Sequence, residues 1–464
     1  MKKIFKNILV AAATVGAMSC SELVKDTNIS PNSPTYAPAS VVLPSSQLGL
    51  AMINEGDIAR IAGIWSGYFS GSVLQYQPIH EYNVVAGDFD SAWDILYRVS
   101  YGNAKVAMED AEERGNRILA GYCKIVMAYS LGIAADLWGD VPGAEAGKAI
   151  DGISTPVYDS QAEVFTAVQT LLDQAIEDIK SNEGVVSSDI LNFSLEAAYS
   201  LKARYYMHTK NYDMALQNAQ LGISSADQNV EIEHGTSLTI NSNIYWTFCT
   251  VERPDYLTAD NSFGVGYLEG RANAKTKTVH LSSYLYKEGT TYSHDLNVLE
   301  DGFFGQTSTF PLLTYRENVL TIAETSARAN DLATALTKLN EYRSYMASGG
   351  YIDPLYHNVD GEALQYDAYT DADFDAGGML NQDNISKADA YVREILAERY
   401  TALVGQLEGF SEMRRTYKDP LRVQITPNTG TQLPQRLLYP QVEINTNPNT
   451  PELVDVFTPT AVNQ

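Results

Sequence analysis

"LEAAYSLKARYYMHTKNYDMALQNAQLGIS", residues 195–224, carries two helical patterns separated by a short polar turn. In the first half Ala197, Ala198, Leu201 and Tyr205 recur at spacings of three and four, the period of one helix face. After "KNYD" (210–213) the pattern resumes on Ala215, Leu216 and Ala219. Small alanines let two helices approach closely, and so short a connection makes them antiparallel neighbours. The arrangement returns downstream, where "YRENVLTIAETSARAN" (315–330) leads into "DLATALTKLNEYRSYM" (331–346).

Such helix–turn–helix pairs are tetratricopeptide-like, but here they are degenerate and interrupted, so a free-standing repeat array is not expected. Other helices are plain. "SQAEVFTAVQTLLDQAIEDIK" (160–180) has a continuous apolar stripe, and Ser160 with Glu163 forms a capping-box start. Ser386 with Asp389 is a weaker start before "AYVREILAERYTAL". In "GNRILAGYCKIVMAYSLGIAADLW" (115–138) apolar residues fall on nearly every face, which predicts a central helix. Residues 227–310 change character: "VEIEHGTSLTINSNIYWTFCT" and "VHLSSYLY" read as strand-like. Residues 347–385 are rich in Gly, Asp, Tyr and Asn, and read as loop. The expected fold is mainly α: a helical scaffold with long loops and small β-hairpins.

The N-terminus "MKKIFKNILVAAATVGAMSC" has a basic head, an apolar run from Ile8 to Met18, and small residues before Cys20. Residues 1–19 therefore read as a secretory signal peptide, with Cys20 placed for cleavage and acylation as in a bacterial lipoprotein. Ala17 stands where a leucine is usual. Residues 20–45, Ser-, Pro- and Asn-rich, read as an extended tether, and 46–464 as one domain. Cys123 and Cys249 read as buried thiols, with a disulfide between them left open.

With 57 Asp and Glu against 32 Lys and Arg, the formal charge is −25, which argues against nucleic acid as a partner. The search for chemistry yields little. "HEYN" at His80 lacks the second histidine of a zinc hydrolase, and no nucleophile elbow or phosphate loop occurs. "DADFDAGG" (371–378) echoes a calcium loop but lacks its spacing and closing Glu. No catalytic group, cofactor or metal site is expected. What remains is aromatic: Tyr76, Tyr82 and Trp93 lie in or beside polar loop sequence, and "IYWTFCTVERPDYL" adds Tyr245, Trp246 and Tyr256. Aromatic planes accept the C–H faces of sugar rings, and nearby Asn, Asp, Gln or Arg serve the hydroxyls.

Taken in order, several stretches resemble the SusD/RagB family of surface lipoproteins, in its shorter SusD-like subfamily. They are the lipoprotein start, "NISPNSPT" (28–35), "SAWDILYRVSYGNAKV" (91–106) and "ADLWGDVPGAEA" (135–146). "FPLLTYRENVLTIAETSAR" (310–328), "REILAERYTALVGQLEGFSEMRRT" (393–416) and "LPQRLLYPQVEINTN" (433–447) complete the series. The chain departs from the family in lacking an Asp-Pro-Arg-Leu segment ahead of the strand-like region. Physically, Gly139 and Pro142 end the central helix and Trp138 packs inward, so "ADLWGDVP" reads as a structural stop. Arg414 and Arg415 are expected to pair with acids such as Glu394 or Glu398.

The resemblance implies a non-catalytic protein on the outer membrane, lipid-anchored through Cys20 and facing the cell surface. It would bind an oligosaccharide or polysaccharide and pass it to a SusC-type TonB-dependent transporter. Carried over by position, the ligand site is expected at Tyr76, Tyr82, Asp88 and Trp93, with Trp246 and Tyr286 beside them. Acidic Glu22 and Asp26 after the cysteine resemble a surface-export signal. The alternatives are a peptide-binding member of the family, a lipid-anchored glycan-degrading enzyme, and a periplasmic helical adaptor.

Overall fold

The computed structural model describes residues 37–464 except residues 72, 150–151, 189, 239, 278–280, 289–290 and 360. The signal segment, Cys20 and most of the tether lie outside the described residues. The principal helices are α1 (Ala39–Glu55), α2 (Asp57–Trp65), α3 (Asn103–Glu113), α4 (Arg117–Trp138) and α5 (Gln161–Lys180). They continue with α6 (Leu195–His208), α7 (Tyr212–Ala219), α8 (Tyr315–Arg328), α9 (Leu332–Ala347), α10 (Lys387–Ala402) and α11 (Glu408–Arg415). From α3 to α9 each helix packs against the next, and α8 also packs against α10. The strands among the described residues form two-stranded pieces at the margin of this array, such as Val230–Ile232 with Phe310–Leu313.

One turn geometry builds the array. In the α6–α7 turn Lys210 has φ +59 and Asn211 caps the next helix, its side chain accepting from Met214 N. The α8–α9 turn repeats this with Asn330 at φ +62 and Asp331 accepting from Thr334 N. The α3–α4 turn repeats it again with Gly115 at φ +70 and Asn116 accepting from Leu119 N. In all three the cap N–H reaches back five residues, to Ala111, Tyr206 and Ser326 carbonyls at 2.8–2.9 Å. This left-handed closure satisfies the last carbonyls of one helix while the Asn or Asp side chain satisfies the first amides of the next. The α3–α4 pair is thus a third repeat, which the sequence pattern did not expose.

Two corrections concern boundaries. Helix α1 starts at Ala39, so the chain is already helical within the stretch read as tether to residue 45. Pro44 lies inside this helix, in its second turn, and withholds one backbone N–H there. In the middle region Ile244–Thr247 and Phe248–Glu252 are helical turns rather than strand. Their aromatics alternate in sequence, but Asn243 caps a turn there by accepting from Trp246 N.

Helix α4 is long and apolar enough to cross a membrane, yet it is enclosed by the other helices. Tyr205 rests directly on Gly132, and its hydroxyl donates to the Tyr129 carbonyl at 2.9 Å. A Cβ at Gly132 would sit inside that ring. At its C-terminus Trp138 is fully buried, its indole donating to the Leu438 carbonyl at 2.8 Å. Gly139 follows with φ +89 and ψ −116, a region that only glycine enters freely. The stop is structural, as its sequence implied.

The core is threaded by arginines. Arg414 is paired with Asp136 on α4, and Arg415 with Glu324 (2.8 and 2.9 Å) and Glu412 (2.6 Å). The expected partners Glu394 and Glu398 serve Arg271 and Arg343 instead. The correction follows from helix phase, since both glutamates face the strand-bearing side of α10. Cys123 and Cys249 are free thiols, pushed up to about 12 by burial.

His208 lies in the same network, with Nδ1 3.3 Å from Asp136 and Nε2 2.9 Å from Glu408. Burial pulls its pKa down, but the two carboxylates outweigh burial and raise it to about 9. A raised folded pKa stabilises fully below the unfolded value near 6.5 and is lost as pH climbs through 9. The fold is therefore expected to lose roughly 2–3 kcal/mol of this contribution between those limits. Chemical-unfolding midpoints measured across that window should fall, and His208→Gln should flatten the profile. An equal slope in the variant would contradict the assignment.

Candidate functional site

A cleft of about 710 Å3 lies between the segment before the "SAW" helix, the middle region and the C-terminal arm. Its walls include Gln77, His80, Glu81, Asp260, Asn261, Phe263 and Asn428. The short strand Ser70–Gly71 pairs with Leu257–Thr258 and ties the first two walls together. Ser70 Oγ donates to the Asp260 carbonyl at 2.6 Å, closing the floor. Ser262 caps the following turn of helix, Phe263–Gly270, and so fixes where Phe263 projects.

Polar groups dominate. Gln77 donates to Glu81 at 3.0 Å, leaving the Gln77 carbonyl oxygen and the outer Glu81 oxygen available. His80 Nδ1 accepts from Gly71 N at 3.4 Å, which assigns the proton to Nε2. Burial lowers the His80 pKa, so the ring is neutral and donates one N–H. Asn428 is anchored by its amide, which donates to the Ile64 carbonyl at 3.3 Å. Phe263 is half-buried, stacked on Tyr267 with centroids 5.4 Å apart, and supplies the one aromatic wall.

Three non-glycine residues with left-handed backbone lie in the segments that form the cleft: Leu74 (φ +47), Tyr82 (φ +63) and Asn261 (φ +53). For Leu74, which is 72% exposed, packing does not account for that strain. Neutral donors, acceptors and one apolar face suit a ligand rich in hydroxyls. The arrangement offers no paired nucleophile and base, and among the described residues no group of three or more His, Cys, Asp or Glu could hold a metal. The acids of "DADFDAGG" are held by lysines: Asp371 and Asp375 by Lys387, Asp373 by Lys275.

The aromatic residues expected at the site do not line it. Tyr76 is 1% exposed; its hydroxyl accepts from Arg60 Nε at 2.7 Å and its ring packs on Phe248. Tyr82 is buried against Trp65 and Phe457, its hydroxyl accepting from Asn428 N at 2.8 Å and its pKa raised to about 12 by burial. Trp93 is covered by Tyr97, Trp138 and Tyr158. These three are corrected from stacking platforms to core, because no ring face is left for a ligand. Asp88 is exposed and accepts from Val85 N at 2.8 Å. Trp246 is half-buried on its own helical turn, away from the cleft lining. Tyr286 lies in the strand Leu285–Glu288, with its side chain outside the described residues.

The expected segment borders the cleft, but its aromatics do not line it. In Tyr76–His80 the aromatic and Ile79 turn inward, while Gln77 and His80 face the cleft. Polar residues one position away from the aromatics were the available signal.

The family described as "Starch-binding associating with outer membrane", SusD-like, matches residues 31–196. Residues 31–196 are thus SusD-like in sequence. A SusD/RagB family protein from Bacteroides thetaiotaomicron shares 18% identity, with TM-score 0.64, over 89% of this chain and 95% of its own. A SusD homolog from Bacteroides uniformis shares 19%, with TM-score 0.64, over 91% and 99%. A chitin-binding SusD homolog from Flavobacterium johnsoniae shares 14%, with TM-score 0.66, over 92% and 98%. At these identities the solved structures carry the SusD-like fold across the remainder of the chain. No curated protein matches in sequence.

Because Trp93 is core, Trp93→Ala is expected to cost stability, about 3–5 kcal/mol for a buried tryptophan. A urea-unfolding midpoint close to that of the unmodified protein would contradict this placement.

Proposed function

We propose that this protein is a non-catalytic binder of oligomeric nutrients of the glycan class, and that the polar cleft holds the ligand. The observation that carries this is the cleft's chemistry. Amide, carboxylate and neutral imidazole groups from three separate segments converge beside a half-buried phenylalanine. Sugars need that combination: hydroxyls to the polar groups and a C–H face on the ring. The chitin-binding homolog of the same fold supports a glycan. The family's association with the outer membrane supports the setting.

In this reading the lipidated Cys20 anchors the protein to the outer membrane, facing the cell surface, and a SusC-type TonB-dependent transporter receives the ligand. An open cleft gives weak intrinsic affinity. Held over a transporter, weak affinity suffices, because tethering replaces a second bimolecular encounter by an intramolecular one.

Affinity gel electrophoresis against soluble starch, glycol chitin and plant polysaccharides tests the cleft. One polysaccharide is expected to retard the protein, and Phe263→Ala or Gln77→Ala with Asn261→Ala to weaken retention about tenfold, ~1.4 kcal/mol. Val185→Ser, at an exposed position, is expected to leave it unchanged. No retardation by any polysaccharide, with heat released on titrating oligopeptides, would move the ligand class to peptides. For the anchor, Cys20→Ser is expected to shift the protein from membrane to soluble fractions; unchanged membrane association would refute lipidation there.

A further inference from the structure

A second cavity, about 410 Å3, opens where the end of the middle region meets the start of α8 and the loop after α9. Glu300, Asp301, Phe303, Arg316, Tyr351 and Asp353 are among its walls, and none of them lines the cleft. Arg316 is unlike most of the buried arginines. Arg204, Arg271, Arg343, Arg399, Arg414 and Arg415 each grip a carboxylate. Arg316 is 2% exposed, yet its Nε and Nη2 have no acceptor among the described residues.

Tyr351 covers the flat face of the guanidinium, 3.7 Å from its carbon to the ring centre, and is fixed by a 2.7 Å hydrogen bond to Tyr284. A ring on the face satisfies the cation but accepts nothing from the N–H groups in the guanidinium plane. Leaving buried donors unmet is unfavourable. Arg316 also lines the cavity, so its guanidinium is a positive group beside anything that enters.

The other walls define what can enter. Glu231, Glu300, Asp301 and Asp353 also line the cavity, with Glu300 and Asp301 exposed at its edge. A carboxylate or phosphate would satisfy Arg316 but meet repulsion from these acids. A simple cation would satisfy the acids and be repelled by Arg316. A neutral ring bearing hydroxyls meets both, its oxygens accepting from the guanidinium and its O–H groups donating to the carboxylates. Tyr351 and Phe303 also line the cavity and add apolar contact for its C–H side. The volume lies in the lower part of the ~300–1,000 Å3 range of small-ligand sites, which suits one or two sugar rings and not a long chain.

We propose that this cavity is a second saccharide site, taking a neutral sugar unit between Arg316 and the carboxylates of Glu300, Asp301 and Asp353. It goes beyond the cleft reading: failure of the cleft to retain a polymer leaves this site standing, and the reverse holds too.

Calorimetric titration of the purified protein with glucose, galactose, N-acetylglucosamine and glucuronate tests it. At least one neutral sugar is expected to bind, with glucuronate at least about tenfold weaker. Arg316→Met is expected to weaken the neutral sugar about tenfold or more. The double substitution Glu300→Gln with Asp301→Asn changes only exposed edge residues, so a similar loss there is not misfolding. Val185→Ser, exposed and outside both the cavity and the cleft, is expected to change nothing. The proposal is overturned if no neutral sugar binds, or if the double substitution binds as before. It is equally overturned if Val185→Ser abolishes the signal or if glucuronate binds best.

Discussion

A band of buried arginine–carboxylate pairs holds the helices in register. Asp136 near the end of α4 meets Arg414 on α11 and His208 on α6. Glu408 joins His208 to Arg204, which also grips Glu317 on α8. Glu324, farther along α8, gathers Arg328, Arg399 and Arg415, and Glu412 bridges Arg399 to Arg415. Five helices, α4, α6, α8, α10 and α11, are thereby locked at fixed heights. Buried pairs of this kind add little net stability over apolar packing, but breaking one strands a charge, at about 3–5 kcal/mol. Alternative packings of degenerate repeats are penalised by that amount at every mismatch.

This constraint explains how function is placed. The repeats and their charged seam form a rigid body, and the segments between them are free to carry polar loops. The cleft draws on three such segments: residues 70–81, 260–263 and 426–428. Each is pinned to the core by something buried. Tyr76 is held by Arg60, Tyr82 by Trp65 and Phe457, and Phe263 by Tyr267 and Tyr400. The aromatics that looked like ligand platforms are the anchors beneath the cleft, and the groups they present are the polar ones.

Much of the fold was legible because its signals are local. The Ser160–Glu163 capping box, the period of α5 and the Gly139 stop are all written within a few residues. The third repeat turn was hidden because Gly115–Asn116 closes a pair whose second helix is apolar all round, which masks the repeat period. The start of α1 was hidden by Pro44 and its serines. Which residues line the cleft was not legible in the sequence. Whether an aromatic faces core or cleft depends on what packs beneath it, and for Trp93 that is Trp138, 45 positions away and not readable from period. The partners of Arg414 and Arg415 were missed for the same reason.

Hydrogen exchange of the protein with and without a retained polysaccharide tests the proposed ligand role of the cleft most directly. The account predicts slowed exchange in residues 70–81, 260–263 and 426–428 together, because one ligand bridges all three. Protection confined to the helical repeats, or none in these segments while the polysaccharide is bound, would contradict it.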